Sequence, residues 1–216
     1  MRVSQSVIGQ VKEGQMAHAV GMSSEAAKVV GRHGGDVRLF LSTVAGEQVN
    51  STLFSLEYES PEAMSRAFDA MNTDPEVQAL TLKLHDPESP TVMTSVSMAM
   101  ELPIGREPTP GRGSLLEVHT NRVTPGRMEE FLSQAADVCA FVESNGAVNA
   151  RVLQLTYAGM ASGLTAFTWE IENWQAQASL GNAWFSDAGL ALQARSNTTN
   201  PPAMQVSSAL YSDIPL

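Results

Sequence analysis

The sequence predicts an α+β fold made of two tandem βαββαβ repeats, with their sheets facing each other as one intramolecular α+β barrel. Three observations predict it. The first is a segment written twice. LFSLEYESPEAM (53–64) and AFTWEIENWQAQ (166–177) each place a small hydroxyl residue two positions before a glutamate and a second glutamate two positions after it. The residues are Ser55, Glu57, Glu59 and Thr168, Glu170, Glu172, and Glu57 and Glu170 stand 113 positions apart in a chain of 216. The second observation is that the offset persists. Gly14-Gln15-Met16 matches Gly126-Arg127-Met128 at 112, Gly46 matches Gly159 and Asp74 matches Asp187 at 113, and Pro90 matches Pro202 and Pro103 matches Pro215 at 112. A nearly constant offset with one-residue slips is what two copies of one supersecondary unit leave behind. The third is that helical and strand periodicities follow each other in the same order in both halves.

Each copy opens with a strand (3–11; 115–123) and a helix (15–32; 127–144). In the second helix Met128, Phe131, Leu132, Ala135, Val138, Cys139 and Val142 fall on one amphipathic stripe. Their counterparts, Met16, Ala19, Val20, Ser23, Ala26, Ala27 and Val30, keep the stripe with smaller side chains. Gly34-Gly35 and Asn145-Gly146 are stop signals for these helices. Two strands follow (36–44 and 50–59; 147–157 and 163–172), then a helix (61–71; 174–184), a short helix (74–82; 187–194) and a closing strand (91–101; 203–211). The order is that of the split βαβ, or ferredoxin-like, unit. The repeats read as 1–105 and 113–216, and the Pro- and Gly-containing stretch 106–112 reads as a linker.

Composition narrows the function. A formal net charge of -10 and a pI near 4.8, with no basic patch, argue against nucleic acid as a partner. No apolar run approaches the roughly 20 residues of a membrane helix, and the N-terminus lacks a secretory apolar core, so a soluble cytoplasmic protein is expected. Cys139 is the single cysteine and reads as an inert buried thiol. No Walker loop, GxGxxG, HExxH or GxSxG element occurs, and His18, His33 and His85 show no metal spacing, so neither a metal nor a cofactor is expected.

Alternation sorts the third strand of each copy. Phe54, Leu56 and Tyr58, and likewise Phe167, Trp169 and Ile171, are expected on the helix-packed face. Glu57 and Glu170 then point to the other face, with Glu59 and Glu172 nearer the rim. Two such open faces in one chain exclude solvent by closing on each other, which is why a duplication makes a barrel.

EYESPEAMSRAFDAMNTDPEVQAL (57–80) resembles the dimeric α+β barrel superfamily, with its antibiotic-biosynthesis monooxygenase-like and NIPSNAP-like domains. There a strand ends in an aromatic-Glu-Ser pattern, an Ala-rich helix follows, and Asp-Pro-Glu leads to a short helix. VTPGRMEEF (123–131) resembles the strand-to-helix opening of the same group. The second copy departs from it at Asp187-Ala188-Gly189. Such families pair two chains, and this chain resembles a fused pair. The resemblance implies a cofactor-independent monooxygenase- or isomerase-like enzyme acting on a small aromatic or polyketide-like molecule in the barrel. The alternative is a non-catalytic small-molecule-binding or protein-interaction module. Some monooxygenases of the superfamily use an Asn-Trp-His set, and Asn121, Trp169 and His119 supply those residue types, although Trp169 is expected to face the helices. A related fused-barrel group binds haem through a histidine in its C-terminal half. His119 is the only histidine there, and no haem motif surrounds it.

The candidate catalytic residues are therefore His119, Glu170, Glu57 and Asn121, and the candidate ligand-binding residues are Glu117, Arg151 and Arg38. Glu117, His119 and Asn121 alternate on one face of LLEVHTNRV, and His119 is the natural proton-transfer group. If that face lines the barrel, His119 lies near Glu57 or Glu170. The position matching His119 in the first copy is Val7, so the site is expected to be asymmetric. Otherwise these carboxylates sit at strand ends in water or pair with Arg38 and Arg151. Trp174 and Trp184 are expected to pack against the sheet. Intramolecular pairing leaves sheet edges and helices for a homodimer, and a small-molecule ligand is the other expected partner.

Overall fold

The computed structural model describes residues 1–46 and 49–216. Its order is β1 (Val3–Val11), α1 (Met16–Gly31), β2 (Asp36–Val44), β3 (Ser51–Tyr58), α2 (Pro61–Thr73), α3 (Pro75–Leu84) and β4 (Thr91–Glu101), followed by β5 (Leu115–Val123), α4 (Met128–Ser144), β6 (Ala147–Tyr157), β7 (Thr165–Ile171), α5 (Trp174–Ala183), α6 (Asp187–Ser196) and β8 (Ala203–Ile214). The βαββαβ order thus occurs twice, each time with one added helix. The fold is α+β, as the repeat predicts.

Local chemistry explains the helix starts. Ser60, Asp74, Asn173 and Ser186 each accept backbone N–H groups of the first turn through the side chain, and prolines stand at the first turns of α2 and α3. The two long helices α1 and α4 lack side-chain caps. They follow turns at Gly14 and Gly126, whose φ of 73° and 81° a side chain would resist.

The strands pair antiparallel in the order β4-β1-β3-β2 in the first half of the chain and β5-β7-β6 in the second. The chain divides into two compact units that do not follow the repeat boundary. One comprises Met1–Met100, Thr156–Met160 and Tyr211–Leu216; the other comprises Glu101–Leu155 and Ala161–Leu210.

In the first unit β1 lies between β3 and β4, and β3 also pairs with β2. Leu56 and Tyr58 of β3 pack with Ala67 of α2, while Ala26 and Val29 of α1 pack with Leu80 of α3. In the second unit β7 lies between β5 and β6. Phe131, Ala135, Cys139 and Val142 of α4 and Leu180 of α5 form a continuous core with Leu115, Val152, Trp169 and Ile171 of the strands. Each large apolar side chain fully buried in such a core contributes about 1.5–3 kcal/mol. Cys139 is fully buried there, and desolvation pushes its thiol up to about 12, so it is the inert residue the helical stripe predicts. Trp184 packs on Phe141 of α4, with ring centroids 4.7 Å apart, at the edge of this core. Trp174, the first residue of α5, is 52% exposed and so less enclosed than expected.

No helix among the described residues is long and apolar enough to cross a membrane.

Candidate functional site

Register decides which side chains of the second unit meet. In the β5–β7 ladder Leu115 stands opposite Ile171, Glu117 opposite Trp169, His119 opposite Phe167 and Asn121 opposite Thr165. Directly opposed residues share a face of the sheet. Leu115, Trp169 and Ile171 belong to the core with α4, and Phe167 meets Phe131 of α4 edge-on at 5.6 Å. Glu117, His119 and Asn121 therefore lie on the helix-packed face.

Three of these side chains form a cluster. The His119 ring stacks on the Trp169 indole, with centroids 4.7 Å apart and planes 24° from parallel. The Trp169 Nε1–H donates to Glu117 Oε2 at 2.7 Å, and His119 Nε2 lies 3.3 Å from Glu117 Oε1. The indole N–H and the adjacent imidazole explain how a carboxylate tolerates a half-buried place beside an aromatic core. Trp169 is buried, whereas the His119 and Glu117 side chains keep 21% and 17% exposure, so the imidazole remains reachable. Asn121 is buried and donates through Nδ2 to the His119 backbone carbonyl at 2.9 Å. A reachable imidazole held between a carboxylate and an indole face is an arrangement for accepting a proton from a planar ligand.

Glu170 lies elsewhere. It stands opposite Leu116 and Val148 in the ladders, hence on the other face of the sheet from His119. Its buried carboxylate accepts the Gly113 N–H and the Asn149 Nδ2–H, both at 2.8 Å. It thereby ties the segment before β5 to the irregular start of β6, where Asn149 has φ 55°. Arg151, also buried, stands opposite Thr168 and shares the Glu170 face. The expectation that His119 lies beside Glu170, away from the helices, is thus corrected. The cause is in β5 itself: both parities of Leu115-Leu116-Glu117-Val118-His119 carry apolar residues, and it is Leu115 that anchors in the helix-side core. The expected Trp169 orientation is found, yet it brings Trp169 to His119.

Glu57 and Arg38 belong to the first unit. Glu57 stands opposite Ser4 and Asp36, and Arg38 opposite Ser55, so they share the face away from Leu56 and Tyr58. Arg38 is buried, contacts Asp213 Oδ1 at 3.1 Å and lies 4.6 Å above the Phe40 ring. Glu59 and Glu172 are exposed beyond the ends of β3 and β7. Of the three other histidines, His33 pairs with Asp74 at 2.9 Å, and His18 and His85 are exposed. No cluster of metal-ligating side chains occurs among the described residues. A histidine serving as haem ligand through Nε2 would need that atom free; here Nε2 faces Glu117, so the residues do not fit that role.

Glu143 carries no signal in the periodicity of α4 beyond its place next to Val142. Its carboxylate collects Arg106, Thr109 Oγ1 and the backbone N–H groups of Thr109 and Ala150. Burial alone pushes its carboxyl up, but these hydrogen bonds outweigh it and hold the group below the usual glutamate value. It anchors the linker.

No family model matches the sequence, and no curated protein matches it significantly. Solved structures do match. An anthrone oxidase-like protein superposes with a TM-score of 0.60 at 14% identity, over 99% of this chain and 91% of that one. A candidate monooxygenase from Lactobacillus acidophilus gives 0.60 at 8% identity, over 99% and 93%. A variant of chlorite dismutase from Candidatus Nitrospira defluvii gives 0.54 at 9% identity, over 99% and 91%. The chain has the ferredoxin-like α+β barrel fold of these proteins along its whole length, and at such identities the likeness is one of fold.

Proposed function

We propose that this protein is a cofactor-independent oxygenase acting on a small aromatic or polyketide-like molecule with an acidic C–H bond, and that His119 is the proton acceptor. The observation that carries this reading is the Glu117–His119–Trp169 cluster: a reachable imidazole stacked on an indole, its other side held by a carboxylate. The names of the anthrone oxidase-like and monooxygenase-like structures support the same class of chemistry.

For an activated methylene the steps balance without an added reductant. His119 takes one proton, leaving an electron-rich carbanion. The carbanion gives its electron pair, one electron at a time, to O2; a C–O bond forms and a returning proton completes a hydroperoxide. Loss of water, with the second C–H proton, leaves a carbonyl. One methylene and one O2 become one carbonyl and one water. Trp169 supplies a flat apolar wall, and the absence of lysine after Lys83 suits a neutral rather than a strongly anionic substrate. Asn121, by holding the His119 carbonyl, fixes the strand beneath the ring.

Oxygen uptake by the purified protein with a dihydroxyanthrone, without added metal or flavin, tests this reading. Uptake is expected above the spontaneous rate of the compound, and about 100-fold lower catalysis in His119→Ala. Uptake at the spontaneous rate, or equal rates in the variant, contradicts it; binding of the anthrone without turnover would then leave a non-catalytic binding protein.

A further inference from the structure

We infer that Glu117 is a positioning residue that fixes the tautomer of His119, so that Nδ1 is the atom that takes the proton. The assignment rests on His119 being the base of the proposed reaction, but its geometric half stands on hydrogen-bond chemistry alone.

An ionised carboxylate only accepts hydrogen bonds, and an indole N–H only donates. Glu117 Oε2 is taken by the Trp169 Nε1–H at 2.7 Å, and Oε1 faces His119 Nε2 at 3.3 Å. Nε2 must therefore carry the hydrogen. In the neutral ring the other nitrogen, Nδ1, is then the acceptor. Among the described residues no group hydrogen-bonds Nδ1, which leaves it for a ligand. The stack on Trp169 fixes the ring plane, and the carboxylate fixes which edge faces which way. When Nδ1 gains a proton the ring becomes a cation with Glu117 already beside it, so the charged form is stabilised where it arises.

The sequence places all three parts by strand geometry. Glu117 and His119 are two apart on β5 and so share a face, and the register sets Trp169 directly across from Glu117. The first unit has the same register with other residues: Gln5 opposite Leu56, and Val7 opposite Phe54. The device belongs to the second unit alone.

The test is the tautomer itself, read by nitrogen NMR of protein labelled at histidine nitrogen, with the His119 signals assigned by their loss in His119→Ala. In the wild-type protein, at a pH where the ring is neutral, a single Nε2–H tautomer is expected. In Glu117→Gln the amide oxygen keeps the Trp169 N–H and the amide N–H turns to His119, so the proton is expected on Nδ1 instead. An Nδ1–H or mixed tautomer in the wild type, or the same tautomer in both proteins, overturns the inference. With a dihydroxyanthrone, Glu117→Gln is expected to lower kcat about 100-fold with little change in KM. A tautomer that reverses as expected in a protein that oxidises nothing keeps the positioning role and rejects the oxygenase reading, so the two failures are distinct.

Discussion

Gly113 shows how closely single residues are determined away from the site. A Cβ there would lie 2.3 Å from the Ile171 carbonyl oxygen, a backbone atom that cannot move aside cheaply. Its N–H is held by Glu170, as is the Asn149 side-chain amide. Gly113→Ala is therefore expected to lower the unfolding free energy by about 1–3 kcal/mol through overpacking, and Glu170→Ala by a similar amount, about 1–3 kcal/mol, by removing the acceptor of buried donors. Urea unfolding of both variants measures this. Unchanged midpoints would return Glu170 to the chemistry for which its residue type first suggested it. Residue type alone could not separate Glu170 from Glu117. Both are glutamates at alternating strand positions, and only the partner opposite each, Leu116 for one and Trp169 for the other, distinguishes a structural tie from a site group.

At the scale of elements, the linker is tied down at several points. Leu102 N–H reaches the Val152 carbonyl, Thr109 accepts from Asn149 N–H, and Glu143 gathers Arg106 and Thr109. The lowered Glu143 pKa gives this a pH signature. A carboxyl whose folded pKa is depressed adds stability that is present above its unfolded value and is lost as pH falls through the folded one. The stability advantage of the wild type over Glu143→Gln is thus expected to be full near neutrality and to shrink below about pH 4. A constant difference across an acid titration followed by circular dichroism would refute the linkage. The elements themselves were legible because each carries a local cause: the stripe of α4, the caps at Ser60 and Asn173, the Gly turns at Gly14 and Gly126. The faces of β3 and β7 were legible as well, since Phe54-Leu56-Tyr58 alternate with Ser55 and Glu57, and Phe167-Trp169-Ile171 with Thr168 and Glu170. β5 was not. With Leu115 on one parity and Leu116 and Val118 on the other, alternation is ambiguous, and the tertiary partner decides. The Glu143 anchor was invisible because its partners, Arg106 and Thr109, lie far away in a stretch without periodicity.

For the whole molecule, the duplication preserves a frame and varies what hangs on it. β1–β3 and β5–β7 have the same register, yet Gln5, Val7 and Leu56 stand where Glu117, His119 and Trp169 make a polar cluster. Neither Leu56 nor Val7 can donate or accept a hydrogen bond through its side chain, so the first unit cannot hold the same chemistry. On the proposed reading the site is single and asymmetric, on the helix-packed face of the second unit, and not among the carboxylates Glu57 and Glu170. Titration of the labelled protein with a dihydroxyanthrone, followed through the Trp169 indole N–H, the His119 ring and the backbone amides, tests this most directly. The ligand is expected to move the Trp169 and His119 resonances together, with the amides of Ser55 and Glu57 unmoved. Shifts concentrated at Ser55, Glu57 and Arg38, with Trp169 and His119 silent, would contradict it.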